Sequence, residues 1–261
     1  MNNMGGFLFK NLVFGPVRSR RLGRSLGLNL LPVNAKWCNF NCIYCECGLT
    51  ARYDNSDIFP AAADIVSELQ HVLTHQSNIG ECIDAITFAG NGEPSLHPDF
   101  LFITQKVIEL RNQLAPKAVV AVLTNATTLN NADVVKALGC VDKPILKLDT
   151  AIQETFELLN KCFEPLHIQQ IINDIAAFPH KKIVQTMFVR GQFGGRSIDN
   201  TTSTELDAYI GALKCIQPDE VMIYSIDRET PEQGLQKISV DELQAIKTKI
   251  EAGGFRVMLT P

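Results

Sequence analysis

From residue 25 onward the chain alternates two patterns. Short unbroken apolar runs predict buried strands at 25–33, 84–89, 118–123, 145–148, 182–189 and 221–224. Between them, apolar residues return every three or four positions, the spacing of one helix face. Ile65, Leu69, Val72 and Leu73 mark such a face at 60–73, and Ile103, Val107 and Leu110 mark another at 99–114. A third helix is expected to start near Asn130 and to stop at Gly139 as a C-terminal cap. Helical stretches flank Pro165. Thr202 with Glu205, and Ser239 with Glu242, have the spacing of capping boxes for two more helices, ending near Ile216 and Gly253. A last run at 255–259 reads as an edge strand.

Unbroken apolar strands joined by helices form a parallel sheet covered on its outer face. Six right-handed crossovers curl such a sheet into an open barrel. The expected fold is therefore α/β, a partial (β/α)6 parallel barrel. It forms a single domain over 1–261, with a core of about 26–259 behind a basic N-terminal extension, 1–25. A parallel barrel places its chemistry at the C-terminal ends of the strands. Here those ends carry Gly90-Asn91-Gly92-Glu93-Pro94, Thr124-Asn125, Lys147 to Asp149, Arg190-Gly191 and Ser225-Ile226-Asp227-Arg228. Lys147 and Asp149, two apart, project to the same side of their strand. A lysine at a barrel mouth calls for a partner, either Asp149 or a ligand carboxylate.

The first strand leads into Cys38-Asn39-Phe40-Asn41-Cys42-Ile43-Tyr44-Cys45. Thiolates in such a loop select zinc, Cu(I) or an iron–sulfur cluster. Structural zinc sites commonly take two separated Cys pairs or a Cys pair and a His pair. Here the next thiol, Cys47, is only two residues on, and His71, His75, His97, His167 and His180 have no metal spacing. A 4Fe–4S cluster ordinarily takes four thiolates. Held by three, it keeps one iron open for another ligand. A zinc-binding or adventitious Cys loop is the alternative at this point.

With Tyr44 directly before the last Cys, this stretch resembles the signature of the radical S-adenosylmethionine (radical SAM) superfamily. The resemblance implies a 4Fe–4S cluster on Cys38, Cys42 and Cys45 whose open iron binds S-adenosylmethionine. It implies reductive cleavage to methionine and a 5′-deoxyadenosyl radical that takes hydrogen from a substrate, chemistry that the protein positions and shields. It also implies a low-potential electron donor of the flavodoxin or ferredoxin type. Gly90, Asn91, Gly92 and Glu93 resemble the family's glycine-glycine-glutamate motif with Asn91 inserted; there the Glu carboxylate holds the methionyl ammonium. Thr124, Asn125 and Asp149 fall where the family places ribose-contacting groups. Tyr44 is expected on the adenine side, and Lys147 completes the cofactor-binding set. The run from Phe14 to Cys47 further resembles the branch grouped with the wyosine-type tRNA-modifying synthases. Those carry a second cluster near the N-terminus, whereas no Cys precedes Cys38 here.

Composition changes the picture little. The chain is 46% hydrophobic and 20% charged, as soluble globular proteins are. No apolar run approaches the roughly 18 residues of a membrane helix, and the first nine residues lack signal-peptide features. The expectation is a cytoplasmic protein with no membrane partner and with reduced thiols. Cys82, Cys140 and Cys215 precede strands and read as small buried hydrophobes at the far end of the barrel. Cys162, after the fourth strand, is the one spare thiol with a catalytic placement.

Charge distribution says more. The first 45 residues carry +6 against a chain total of −4, so the remainder carries −10. Arg18, Arg20, Arg21 and Arg24 crowd a Gly/Pro-punctuated loop at 14–24. Guanidinium forks suit phosphate and carboxylate. They make either a substrate site, for a tRNA base or a phosphorylated small molecule, or a surface loop paired to the acidic remainder.

Overall fold

The computed structural model describes residues 6–50, 59–228, 230 and 232–260. A hairpin opens the fold, β1 (Val13–Ser19) and β2 (Gly23–Leu28). Then follow α1 (Ala62–Asn78), β3 (Ala85–Phe88), a 3-10 turn at Pro94–Leu96, α2 (Phe100–Leu114), β4 (Val119–Thr124), α3 (Ala132–Cys140) and β5 (Lys143–Lys147). After α4 (Gln153–Asn160) and α5 (Ile168–Ala177) come β6 (Ile183–Phe193) and β7 (Arg196–Asp199). The chain closes with α6 (Ser203–Ile216), β8 (Glu220–Ser225), β9 (Leu235–Lys237), α7 (Val240–Ala252) and β10 (Val257–Leu259).

Among the described residues ten strands form one sheet, in the order β1-β2-β3-β4-β5-β6-β8-β10, with β7 and β9 paired to β6 off that path. From β2 to β10 every neighbouring pair on the path is parallel, and β1 runs antiparallel to β2. The two ends of the path do not pair with each other among the described residues. The sheet is thus an open, partial barrel of six β/α units with one strand added at each edge.

Strand alternation sorts the core into two parts. Ala85, Ala121, Ile145, Ile183 and Met222 face the barrel interior and pack there with Leu22. The residues between them, such as Ile86, Val120, Val122, Leu146 and Val184, face the helices. In α1 the buried stripe is Ile65, Leu69 and Leu73, each worth roughly 1.5–3 kcal/mol of apolar burial.

Several expectations need correction. Residues 13–25 are neither an extension nor a loop; they are β1 and the start of β2, part of the sheet itself. The Gly15-Pro16 pair that reads as a loop signal lies at a register shift between Phe14 and Val17. A bulge in an edge strand accommodates proline because no ladder donor is lost there. The first parallel strand ends at Leu28 rather than Val33, and β6 runs past 189 to Phe193, where β7 and β9 flank it.

Gly139 lies inside α3 rather than capping it, because a Cβ there would meet the His180 ring at 2.4 Å. The Ser239–Glu242 capping box is complete. Thr202 forms only half of one: it accepts from Glu205 N, while the Glu205 carboxylate turns inward to the hydroxyls of Thr150 and Thr155. Cys82, Cys140 and Cys215 are exposed rather than buried, because they sit at the solvent side of the crossovers.

Candidate active site

The Cys loop hangs over the C-terminal ends of the strands and is fastened from two sides. Asn41 N donates to Asn160 O at 2.9 Å and Ile43 N to Leu159 O at 3.0 Å, tying it to the end of α4. Trp37 N donates to Asn91 O at 2.7 Å, and Glu93 N returns a bond to Trp37 O at 3.0 Å. Cys38 and Cys42 are buried and Cys45 is half-buried. Each of the first two sulfurs has an amide donor in reach: Asn160 Nδ2 lies 3.3 Å from Cys42 Sγ, and Asn125 Nδ2 lies 3.9 Å from Cys38 Sγ. Phe40 N also points at Cys38 Sγ, at 3.4 Å.

Electrostatics treat the sulfurs of the loop unequally. Lys36 is buried, with Nζ on Gly48 O at 2.8 Å. Burial works against its charge, yet the sulfurs of Cys45, Cys38 and Cys42 outweigh this and raise its pKa. A hydrogen bond from the Cys47 thiol, helped by Lys36, brings the Cys45 pKa down to about 5. Burial, with Glu93 nearby, pushes the Cys38 thiol up instead. Among the described residues no three His, Cys, Asp or Glu side chains close on one point as a single metal ion requires.

Glu93 lies at the centre of a second network. Its Oε1 accepts from Ser95 N (3.1 Å), Ser95 Oγ (2.6 Å) and Thr124 Oγ1 (2.8 Å), and its Oε2 accepts from Asn125 N (2.6 Å). Burial raises the Glu93 pKa, and these donors act the other way. Asn125 also bonds Asn39 Oδ1 at 2.7 Å, joining the end of β4 to the Cys loop. Gly90 and Gly92 are required by close contacts. A Cβ on Gly90 would meet Asn29 Oδ1 at 2.3 Å, and one on Gly92, whose φ is +143°, would meet Trp37 O at 1.9 Å. The Gly90 carbonyl accepts from Cys47 Sγ at 3.3 Å. The Asn91 side chain points away from the Cys loop and pairs with the backbone of Phe9 and Pro32.

A third group unites Tyr44, Lys147 and Asp149. Lys147 Nζ donates to both Tyr44 Oη and Asp149 Oδ2, and Tyr44 Oη donates to the same carboxylate oxygen. Asp149 Oδ1 takes Met187 N at 3.0 Å. Lys147 thus has the carboxylate that a lysine in this place calls for. Burial lowers the Lys147 pKa, while the nearby sulfurs oppose that shift.

Below Tyr44 the barrel interior is a cavity of about 800 Å³. Arg18, Arg20 and Arg21 line it; Arg24 does not. Arg24 turns outward to pair with Glu81, and its Nη2 lies 3.3 Å from Gln76 Oε1 at the end of α1. Cys162 pairs with Phe40 beside the Cys loop and is not among the cavity-lining residues. Burial pushes its thiol up to about 12. Lys36, Asn39, Asn160 and Tyr224 also belong to the site, and sequence reading missed all four. Lys36 precedes the first Cys by two residues, which is a weak signal; Asn160 carries none, because only the fold brings the end of α4 to Cys42.

Residues 35–176 match the radical SAM superfamily. This chain belongs to that superfamily of enzymes. Within it, a UPF0026 protein of Synechocystis sp. (strain ATCC 27184 / PCC 6803 / Kazusa) is 33% identical over 85% of this chain and 77% of its own length, which places the chain in the UPF0026 family. A protein of Brachyspira hyodysenteriae (strain ATCC 49526 / WA1) named GTPase Obg is 29% identical over 92% of this chain, which spans only 33% of that longer protein. The fold is similar to that of a radical SAM methyltransferase from Sphaerobacter thermophilus. The TM-score is 0.64 at 13% identity, over 90% of this chain and 65% of that one. Among the described residues no helix is long and apolar enough to cross a membrane.

Proposed function

We propose that the chain uses a 4Fe–4S cluster, held by Cys38, Cys42 and Cys45, to cleave S-adenosylmethionine reductively and modify a substrate in the barrel. The observation that carries this reading is the placement of the three thiols. They lie on one loop at the strand ends, with amide donors on two sulfurs, next to a cavity large enough for a small molecule. When bound, such a cluster supplies the electron that turns S-adenosylmethionine into methionine and a 5′-deoxyadenosyl radical. The electron itself comes from a low-potential donor of the flavodoxin or ferredoxin type.

The chain's own residues bind, orient and shield. Asn160, Asn125 and the Phe40 amide direct hydrogen bonds to the sulfurs, the kind of contact that sets a cluster's potential. A carboxylate offers about four acceptor positions. Glu93 Oε1 has three donors and Oε2 only one, so Oε2 retains capacity for the ammonium of S-adenosylmethionine. Tyr44, held by Lys147 and Asp149, forms the floor between the Cys loop and the cavity. Leu123, Ile145 and Met187 give the cavity an apolar wall that keeps water from a reactive carbon radical.

Anaerobic reconstitution followed by electron paramagnetic resonance of the reduced protein tests the ligand set. The wild type should bind four irons per chain and change its spectrum when S-adenosylmethionine is added. Cys38→Ala, Cys42→Ala and Cys45→Ala should each lose the cluster, and Cys47→Ala should keep it. Iron loss in Cys47→Ala equal to that in the others would indicate an all-cysteine cluster with no open iron, as an electron-transfer module has.

A further inference from the structure

We infer that the barrel interior binds a small organic anion, seated through a carboxylate or phosphate group on Arg21. The inference rests on the proposed function only in placing the reacting carbon toward Tyr44 and the Cys loop. The charges lining the cavity are four guanidinium groups, Arg18, Arg20, Arg21 and Arg228, against two carboxylates, Glu46 and Asp227. Both carboxylates are already engaged. Arg228 pairs with Glu46 at 2.6 Å and Arg20 with Asp227 at 3.4 Å, while Lys237 approaches Asp227 from outside at 3.0 Å. The cavity therefore holds an excess of +2 inside a chain whose net charge is −4.

Arg21 is the group that turns this excess into a seat. Its Cζ lies 4.6 Å from the Tyr224 ring centroid, a cation–π arrangement that fixes the fork in the interior. Its Nη1 is buried, and among the described residues it has no hydrogen-bond partner. Gln185 Nε2 is likewise buried and unpartnered. Gln185 lies two residues before Met187, hence on the same inward face of β6, although it is not itself among the cavity-lining residues. Arg21 Nη1 is an N–H donor at the cavity wall, so the occupant that satisfies it carries acceptor oxygens. A cationic or wholly apolar occupant would leave it unmet. A planar guanidinium matches carboxylate or phosphate oxygens, and its bonds to them are charge-assisted.

The same geometry favours a small molecule over a nucleic acid. The cavity volume is that of a small-molecule site. The four N-terminal arginines do not form a continuous strip, since Arg24 is turned to α1 and Arg20 already has Asp227. With its anion on Arg21, such a molecule has its carbon skeleton against Leu123, Ile145 and Met187, below Tyr44.

Calorimetric titration of the reconstituted protein with inorganic phosphate, pyrophosphate and citrate, at fixed ionic strength, tests this and separates phosphate from carboxylate. The wild type should bind one of these anions saturably at one site per chain. Arg21→Met should weaken that binding about tenfold or more, the loss of a charge-assisted hydrogen bond. Arg21→Lys and Gln185→Leu should weaken it less, and Lys117→Gln, a charge removal far from the cavity, should leave it unchanged. Unaltered far-UV circular dichroism and S-adenosylmethionine binding show that the variants fold. Absence of saturable binding, or equal affinity in Arg21→Met and Arg21→Lys and the wild type, overturns the inference. So does retention of total tRNA that falls steeply with salt, is lost in Arg18→Gln and is not competed by free anions. Anion binding that depends on Arg21 in a protein unable to cleave S-adenosylmethionine would support the site while removing the reading on which its orientation rests.

Discussion

Replacing Glu93 by Ala removes the carboxylate on which the ends of β3 and β4 meet. Of the two hydroxyls it engages, Ser95 Oγ keeps Thr128 Oγ1 at 2.6 Å, whereas Thr124 Oγ1 still accepts from Ala126 N at 3.1 Å but loses the acceptor for its own proton. The backbone N–H groups of Ser95 and Asn125 lose the acceptors seen at 3.1 and 2.6 Å. A buried donor left unpaired costs about 1–3 kcal/mol, so these two and the Thr124 O–H together cost about 3–9 kcal/mol. Relief from burying a carboxylate offsets part of this, which places the expected loss near the lower end. Glu93→Gln retains one acceptor oxygen and presents an amide donor to the other N–H, so it should lie between Ala and the wild type. Urea unfolding of the cluster-free protein measures both losses. The only tryptophan, Trp37, is the natural probe because it bonds Asn91 and Glu93 directly. A loss under about 1 kcal/mol for Glu93→Ala, less than a single orphaned donor, would refute the reasoning and free the carboxylate for ligand binding alone.

Other substitutions separate supports from bystanders. Asp149→Ala strips the partner from buried Lys147 and the acceptor from Met187 N; a loss of about 3–5 kcal/mol is expected in the same urea assay, and Asp149→Asn should recover part of it. Gly92→Ala forces a Cβ to within 1.9 Å of Trp37 O at a φ of +143°. It should displace the Cys loop, seen as a shift in Trp37 emission and reduced iron uptake. Arg24→Ala breaks a surface ion pair, with side chains 39% and 42% exposed, and a side-chain bond to Gln76, and should change stability by no more than about 1 kcal/mol.

Period and punctuation made the six β/α units legible, because each parallel strand is buried on both faces and therefore unbroken in sequence. The hairpin was not legible. Arg18 and Gly15-Pro16 break the alternation of β1, an edge strand whose bulge admits what a central strand would reject. The three cysteines stood out by their spacing on one short loop, and Glu93 by the resemblance of residues 90–93 to a family motif. Asn160 could not be found in this way, because it reaches the site only through the folding of α4. The four arginines show the limit most clearly. Adjacent in sequence, they part on the two faces of the hairpin, Arg24 toward α1 and Arg21 toward the barrel interior.

The central claim is that three thiols hold a cluster with an open iron that cleaves S-adenosylmethionine. Its most direct test is 5′-deoxyadenosine formation by the anaerobically reconstituted, chemically reduced protein, quantified beside its Cys42→Ala variant. The wild type should release 5′-deoxyadenosine and methionine in equal amounts, and the variant neither. A wild type with its full complement of iron and no 5′-deoxyadenosine, or a Cys42→Ala variant as active as the wild type, would contradict the account.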